Sequence, residues 1–537
     1  MVQLVPSPVS NSHKYLAAIG LLSLLLVVAR FDEFVVGSMA DDAVYAELAR
    51  SIGEGRGPVL HVGPDEHSIV PITQPSGYPL LISPVAYLFP NSLTALKLCS
   101  ALFFFLLLFV LHLLLKPASE PYERLALLAL VALNPWAIAY ANRIFSEAAN
   151  TLVSLTAVLL YDRWLRGQKL LDFNFAAMAL CLSLGGAIRS IGFALPLAVV
   201  LHLAYRRQWR RIGAWIPCQA AFAALFASFA QSSGGAVVPE SYLSQIVGFE
   251  HALSDRLVFM AWTLFYYLQE IAALTLPLFG KTAQVTAQQQ GLGSLYAFVA
   301  WTLGAGLLLL SLSGILHRRW RGEHGLQLLY IYQLIFLGVL CNWTFIPVDR
   351  PGGWVELRLL LPLLPSFYLF ALGGLQALAS RFSAIGLIAA RGPLLLLTLA
   401  LPMSLIHNAY RIKVPFREAL RASGRGFIDF SAGSQYIKDH TGPRDIIMAS
   451  SPLERHIHHN RAIVGYGDFG ALDDQRANYV FIGPSDPNTP NILDPTSEHA
   501  LAAVRADPDR FELVRADAAQ NWMIFRVIGG HKNRQYH

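Results

Sequence analysis

Long apolar runs separated by short polar connections dominate the chain. Runs near the ~20 residues that cross a hydrocarbon core recur from Tyr15 to Leu405 and then stop. The candidate spans are 15–31, 93–115, 125–140, 148–160, 175–188, 191–205, 212–230, 295–316, 326–345, 359–378 and 385–405. A further run, 257–279, is long enough to cross, yet a crossing there would put the following RRWR loop outside; it is expected to lie at the outer interface or to re-enter. The pattern predicts a polytopic α-helical membrane protein with about 11–13 transmembrane helices.

Beyond residue 407 the period changes. Helices are predicted at 433–440 and 498–506, and strands at 445–449, 462–464, 479–482, 511–514 and 522–527, which together read as a soluble α/β domain. The predicted organisation is a membrane domain over 1–407, carrying outer loops 35–92 and 231–294, followed by an extracytoplasmic α/β domain over 408–537. No internal repeat is evident, which removes the strongest sequence hint of an inverted-repeat transporter.

Composition agrees with a lipid environment: 54% of the 537 residues are hydrophobic and 14% are charged, against about a quarter charged in an average soluble domain. The formal charge of +6 does not signal nucleic acid, because Lys and Arg fall mostly in short loops after alternate spans. By the positive-inside rule those loops are cytoplasmic and the intervening ones face outward. Cys99, Cys181, Cys218 and Cys341 all lie in or beside apolar runs, so neither a disulfide framework nor a zinc site is offered. The first run lacks a small-x-small cleavage site and is read as a retained helix. His456, His458 and His459 in ERHIHHN are read as solvated loop histidines, since no helix places two of them on one face.

The chemistry-bearing candidates cluster at predicted outer ends. In the first outer loop, Asp41 and Asp42 follow closely on a span and open a helix. Paired carboxylates beside a bilayer are costly and usually functional, although either one could simply cap that helix. The loop returns to the membrane through ITQPSGYPLLISP, where Pro71, Pro75, Pro79, Pro84 and Gly77 make a non-helical path that must line a cavity or be covered.

An acidic pair opening an interfacial helix after the first span, then a Gly-Tyr-Pro return to the second, resembles the type C glycosyltransferases that use polyprenyl-phosphate sugars. Within them it is similar to the protein O-mannosyltransferase and lipid A aminoarabinose transferase branch. NRIFSEAANTL resembles the family's second acidic site, with Glu147, and RLLLPLLP at 358–365 resembles its Arg-and-Pro start of a late span. Where the aminoarabinose transferases place a lysine before the first-loop proline pair, this chain has Gln74. The oligosaccharyltransferase WWDYG-like signature is absent from the tail.

The resemblance implies an inverting glycosyltransferase with Asp41 as base and with Asp42 and Glu147 shaping the sugar and acceptor site. Arg143, Arg189 and Arg358 are the candidate donor-phosphate partners, with Arg350 and Arg50 weaker. Gln74, Tyr78 and Trp354 are expected to line the substrate cavity, Trp354 and Trp343 having belt tryptophans as the alternative. The arginines have snorkelling as their alternative, and Glu147 could pair with Arg143 four residues earlier on one helix.

The partners implied are a polyprenyl-phosphate sugar, an acceptor protein, lipid or glycan, and membrane lipids, but no nucleic acid. No cofactor is expected to be required, though the carboxylates could hold a divalent metal ion. The expected location is a bacterial or archaeal plasma (inner) membrane, with site and tail facing the periplasm or exterior. A transporter or flippase of lipid-linked glycans is the alternative, disfavoured because most charges sit at span ends. A scaffold presenting the tail would leave the acidic loop idle.

Overall fold

The computed structural model describes residues 12–33, 36–37, 41–61, 69–70, 74–90, 92–167, 169–231, 253–279, 287–288, 290–316, 323–342, 357–379, 392–414, 430–442, 444–449, 462–464, 477–483, 495–517 and 522–528. The chain forms two compact units. The first is Met1–Phe31, Lys97–Phe229 and Val238–Ile412; the second is Asp32–Leu96, Ala230–Val237 and Lys413–His537.

The helices are α1 (Ser12–Ala29), α2 (Asp41–Gly53), α3 (Gly77–Leu88), α4 (Leu93–Leu115), α5 (Pro121–Ala132), α6 (Pro135–Ala141), α7 (Glu147–Arg166), α8 (Phe173–Ile188), α9 (Ala194–Tyr205), α10 (Trp209–Gln231), α11 (Leu253–Thr275), α12 (Gly293–Ser313), α13 (His324–Asn342), α14 (Leu364–Ala379), α15 (Gly392–Lys413), α16 (Phe430–His440) and α17 (Pro495–Ala506). The strands are β1 (Leu60–His61), β2 (Ile69–Val70), β3 (Ile446–Ala449), β4 (Ala462–Val464), β5 (Tyr479–Ile482), β6 (Phe511–Asp517) and β7 (Trp522–Val527).

Each predicted span is helical over its described residues, and the chain is a polytopic helical membrane protein. Among the described residues six helical stretches are long and apolar enough to cross a membrane: Leu93–Leu115, Trp209–Phe229, Arg256–Thr275, Gly293–Ser313, His324–Asn342 and Leu357–Leu378. The predicted spans 15–31, 175–188 and 191–205 are shorter apolar helices. The run 257–279, expected at the outer interface or re-entrant, forms α11, which packs on α12 and α13 and is long and apolar enough to cross over Arg256–Thr275. Tyr267, Ile271, Ala272 and Leu274 are buried and Leu257, Val258 and Trp262 are exposed.

Close helix contacts rest on missing side chains. A Cβ on Gly304 of α12 would lie 1.8 Å from the Leu268 carbonyl oxygen of α11, and one on Gly374 of α14 would lie 2.0 Å from that of Leu310 in α12. Small residues are how membrane helices approach backbone to backbone.

The span predicted at 125–140 is broken into α5 and α6, which meet at a 57° bend. Pro135 cannot donate the helical N–H and disfavours helical backbone in the residue before it. Asn134 caps the new helix, its side-chain oxygen accepting from the Trp136 and Ala137 amides.

In the second unit, α2 packs on α3, with the Tyr45 and Tyr78 rings edge-on at 5.1 Å, and β1 pairs antiparallel with β2. The tail has the alternating elements read from its sequence. Its five-stranded sheet runs β4-β3-β5-β7-β6, with β3 parallel to β4 and β5, and β7 antiparallel to β5 and β6. Met448, Val480 and Ile482 join Leu501 and Val504 of α17 in one core, and Ile447, Ala449 and Phe481 join Ile437 of α16 in another. Successive side chains on a strand face opposite ways, so burial on both faces explains the uninterrupted apolar strands IIMA and YVFI.

Candidate active site

The first group of candidates lies in the second unit. Asp41 and Asp42 open α2, where the positive end of the helix dipole favours carboxylates. Their roles differ. Buried Asp42 accepts the Gly37 and Ala43 backbone N–H groups on Oδ1, both at 2.9 Å, and so ties the incoming chain to the helix. Asp41 is half-buried, and its Oδ1 accepts from the Gln74 side-chain amide at 3.0 Å. Asp42 is therefore the structural acid of the pair, and Asp41 is held by a neutral side chain at the point where the loop turns back. Tyr78 is fully buried against Tyr45 in the α2–α3 packing.

Arg50 sits on the same helix beside Glu47, 3.7 Å away, and both are buried. Burial pushes the Arg50 guanidinium down from its usual value, against the opposing pull of Glu47 and Glu54. Glu47 also lies 4.0 Å from Arg56. Sequence reading missed Glu47, which is buried although its spacing from Arg50 allowed a helical pair.

The second group lies in the helical unit, around the corner 142–146 between α6 and α7. Glu147 begins α7 and Arg189 caps the end of α8 in extended conformation. The Arg189 guanidinium donates to Glu147 Oε1 at 2.5 Å, with both side chains largely buried. Each charge occupies the helix end its sign favours. Arg143 precedes α7 in the corner, so the alternative of a helical Arg143–Glu147 pair is replaced by the Glu147–Arg189 pair. The second carboxylate oxygen of Glu147 is buried with no hydrogen-bond partner among the described residues. Glu147 also lines a small apolar cleft of about 30 Å³ with Phe104, Leu107, Tyr140, Leu361 and Pro365.

Arg143 and Arg358 converge on one ring. The Arg143 guanidinium lies 5.8 Å and that of Arg358 5.4 Å from the Phe145 ring centre, and Arg143 is also 5.1 Å from the Tyr140 ring. Arg358 reaches this point from the 3-10 turn Leu357–Leu363, which packs on α6 and α7. Pro362 and Pro365 keep that entrance to α14 from starting as a regular α-helix. Cation–π contact places both guanidinium groups beside the same aromatic ring. Phe145 was not foreseen from sequence; an aromatic flanked by candidate arginines, as in NRIFSE, was the available signal.

Trp354, Trp343, Arg350 and the three tail histidines fall outside the described residues.

The helical unit combines a broken span with continuous ones, and the first loop opens on an acidic pair. Solved structures carry the same architecture. ArnT from Cupriavidus metallidurans, a lipid A aminoarabinose transferase, superposes in its undecaprenyl-phosphate-bound form with a TM-score of 0.59 at 11% identity, covering 97% of this chain and 99% of that one. Its apo form gives 0.57 at 12% identity, covering 98% and 100%. The apo oligosaccharyltransferase of Archaeoglobus fulgidus gives 0.52 at 12% identity, covering 88% and 69%. No family model and no curated protein sequence matches the chain. The chain thus has the type C glycosyltransferase fold.

Proposed function

We propose that this protein transfers a glycosyl group from a polyprenyl-phosphate carrier to an acceptor, with inversion at the anomeric carbon. The observation that carries this reading is the convergence of Arg143 and Arg358 on Phe145, beside the Glu147–Arg189 pair, in a type C glycosyltransferase fold. The ArnT structure holds undecaprenyl phosphate, and a lipid phosphate is the ligand that two stacked guanidinium groups suit.

The chemistry follows from a donor that carries its own leaving group. Asp41 takes the proton of the acceptor hydroxyl as its oxygen attacks the anomeric carbon. The bond from that carbon to the phosphate oxygen breaks, and the electron pair leaves on the phosphate. Arg143 and Arg358 stabilise the developing charge. Arg189, the third phosphate candidate, is assigned instead to pairing with Glu147, because its guanidinium donates to that carboxylate. Glu147 is assigned to the sugar and acceptor site, Gln74 to orienting Asp41, and Asp42 to supporting the loop. No obligatory metal is proposed, since the arginines supply the neutralising charge. The site is proposed to face the outside of a bacterial or archaeal plasma membrane, with protein, lipid or glycan as acceptor.

The test is release of polyprenyl phosphate from a panel of radiolabelled polyprenyl-phosphate sugars by the purified protein, with membrane extract as acceptor source. Release from one donor, lost in Arg143→Gln and Arg358→Gln, supports the proposal. Absence of release from every donor overturns it.

A further inference from the structure

Arg30 is 3% exposed at the end of α1, inside an apolar bundle. A charge so placed is costly unless its hydrogen bonds are answered, and neither the candidate site nor its chemistry uses it. Its Nη1 donates to the Pro135 carbonyl at 2.9 Å and to the Asn408 side-chain oxygen at 2.6 Å. Asn408, in α15, passes the connection on by donating to the Leu133 carbonyl at 3.0 Å.

Leu133 is the C-cap of α5 and Pro135 the first residue of α6, so these bonds fall on the two sides of the α5–α6 break. Ser23 of α1 donates to a further acceptor, the Ala132 carbonyl, at 2.9 Å. At the far end of α6, the Asn142 amide donates to the Val27 carbonyl of α1 at 3.0 Å. Ser23, Val27 and Arg30 are spaced i, i+4, i+7 and so share one face. Seven-residue α6 is therefore clamped at both ends by α1, with Asn134 and Trp136 bonding in addition to the Leu274 and Ala273 carbonyls of α11. What α6 delivers is the corner carrying Tyr140, Arg143, Phe145 and Glu147. Two of the three points where the chain leaves the helical unit, after Phe31 and after Ile412, follow this node by a few residues.

We propose that Arg30 is a positioning residue: its bonds to Pro135 and Asn408 fix α6 in space and thereby fix the aromatic corner on which Arg143 and Arg358 stack. This rests on the proposed function for its catalytic meaning, but the pinning of α6 stands on geometry alone.

The experiment uses the full-length protein in lipid nanodiscs with two readouts. Hydrogen–deuterium exchange follows peptides over 133–146 and, as control, 173–205; titration with undecaprenyl phosphate follows the corner. Arg30→Gln is expected to raise exchange over 133–146 alone and to weaken undecaprenyl phosphate binding about tenfold, the size of one lost hydrogen bond to a charged group. Arg30→Lys, which keeps a buried cation able to donate to the Pro135 carbonyl and Asn408, is expected to restore both part of the way towards wild type. In an Arg143→Gln background the Arg30 change is expected to add little, because both act through one element. Unchanged exchange over 133–146, or a rise spread equally over 173–205, overturns the proposal. So does a full tenfold further loss in the Arg143→Gln background. Should wild type not bind undecaprenyl phosphate, the functional reading fails, and the exchange pattern decides the pinning by itself.

Discussion

Arg189 and Glu147 form a 2.5 Å ion pair between the end of α8 and the start of α7, with the second Glu147 oxygen left facing the interior. The pair joins two packed helices at the ends where each charge is favoured, and it sits next to the corner that carries the other site arginines.

Breaking that pair from one side leaves a buried charge alone. Arg189→Met or Arg189→Gln is expected to destabilise the protein by roughly 3–5 kcal/mol, whereas Arg189→Met with Glu147→Leu costs much less. Thermal unfolding in detergent, arranged as a double-mutant cycle, checks this. A double-variant loss equal to the sum of the two single losses would show that the pair contributes nothing as a pair.

The Gly304 contact sets a second expectation. Any side chain there meets the Leu268 carbonyl at a distance no Cβ tolerates, so Gly304→Val should force α11 and α12 apart. The expected result is a loss of folded protein by size-exclusion profile, with Gly306→Val as control because nothing lies within 4 Å of a Cβ at that position.

Much of this was legible in the sequence, and the failures have physical causes. Hydrophobic length located the helices, and β3 through β7 with α16 and α17 followed from period and turn residues. The α5–α6 break was overlooked because apolar content on both sides of Asn134-Pro135 masked a proline signal. At the site, Gln74 meets Asp41 across 33 positions of chain and Arg189 meets Glu147 across 42; neither relationship has a local spacing. Arg30 and Asn408, 378 positions apart, were equally out of reach.

For the arginines on Phe145, planarity should matter as well as charge. Arg143→Lys and Arg358→Lys keep the charge but lose the stacked fork, and each is expected to weaken undecaprenyl phosphate binding by about tenfold, close to the effect of Gln. Phe145→Leu should weaken it less. Full binding by the lysine variants would show that the site reads charge alone.

Transfer is expected to survive exhaustive treatment with a chelator, because Arg143 and Arg358 carry the leaving phosphate's charge in this account. Activity lost on chelation and restored by a divalent cation would move that duty to a metal.

The most direct test of the central claim is release of polyprenyl phosphate by wild type beside Asp41→Asn, with the correctly accepted donor and with inserted, folded protein in both samples. The account predicts that Asp41→Asn loses at least about a hundredfold in rate, the usual worth of a general base, while Asp42→Asn loses less; normal turnover by Asp41→Asn would contradict it.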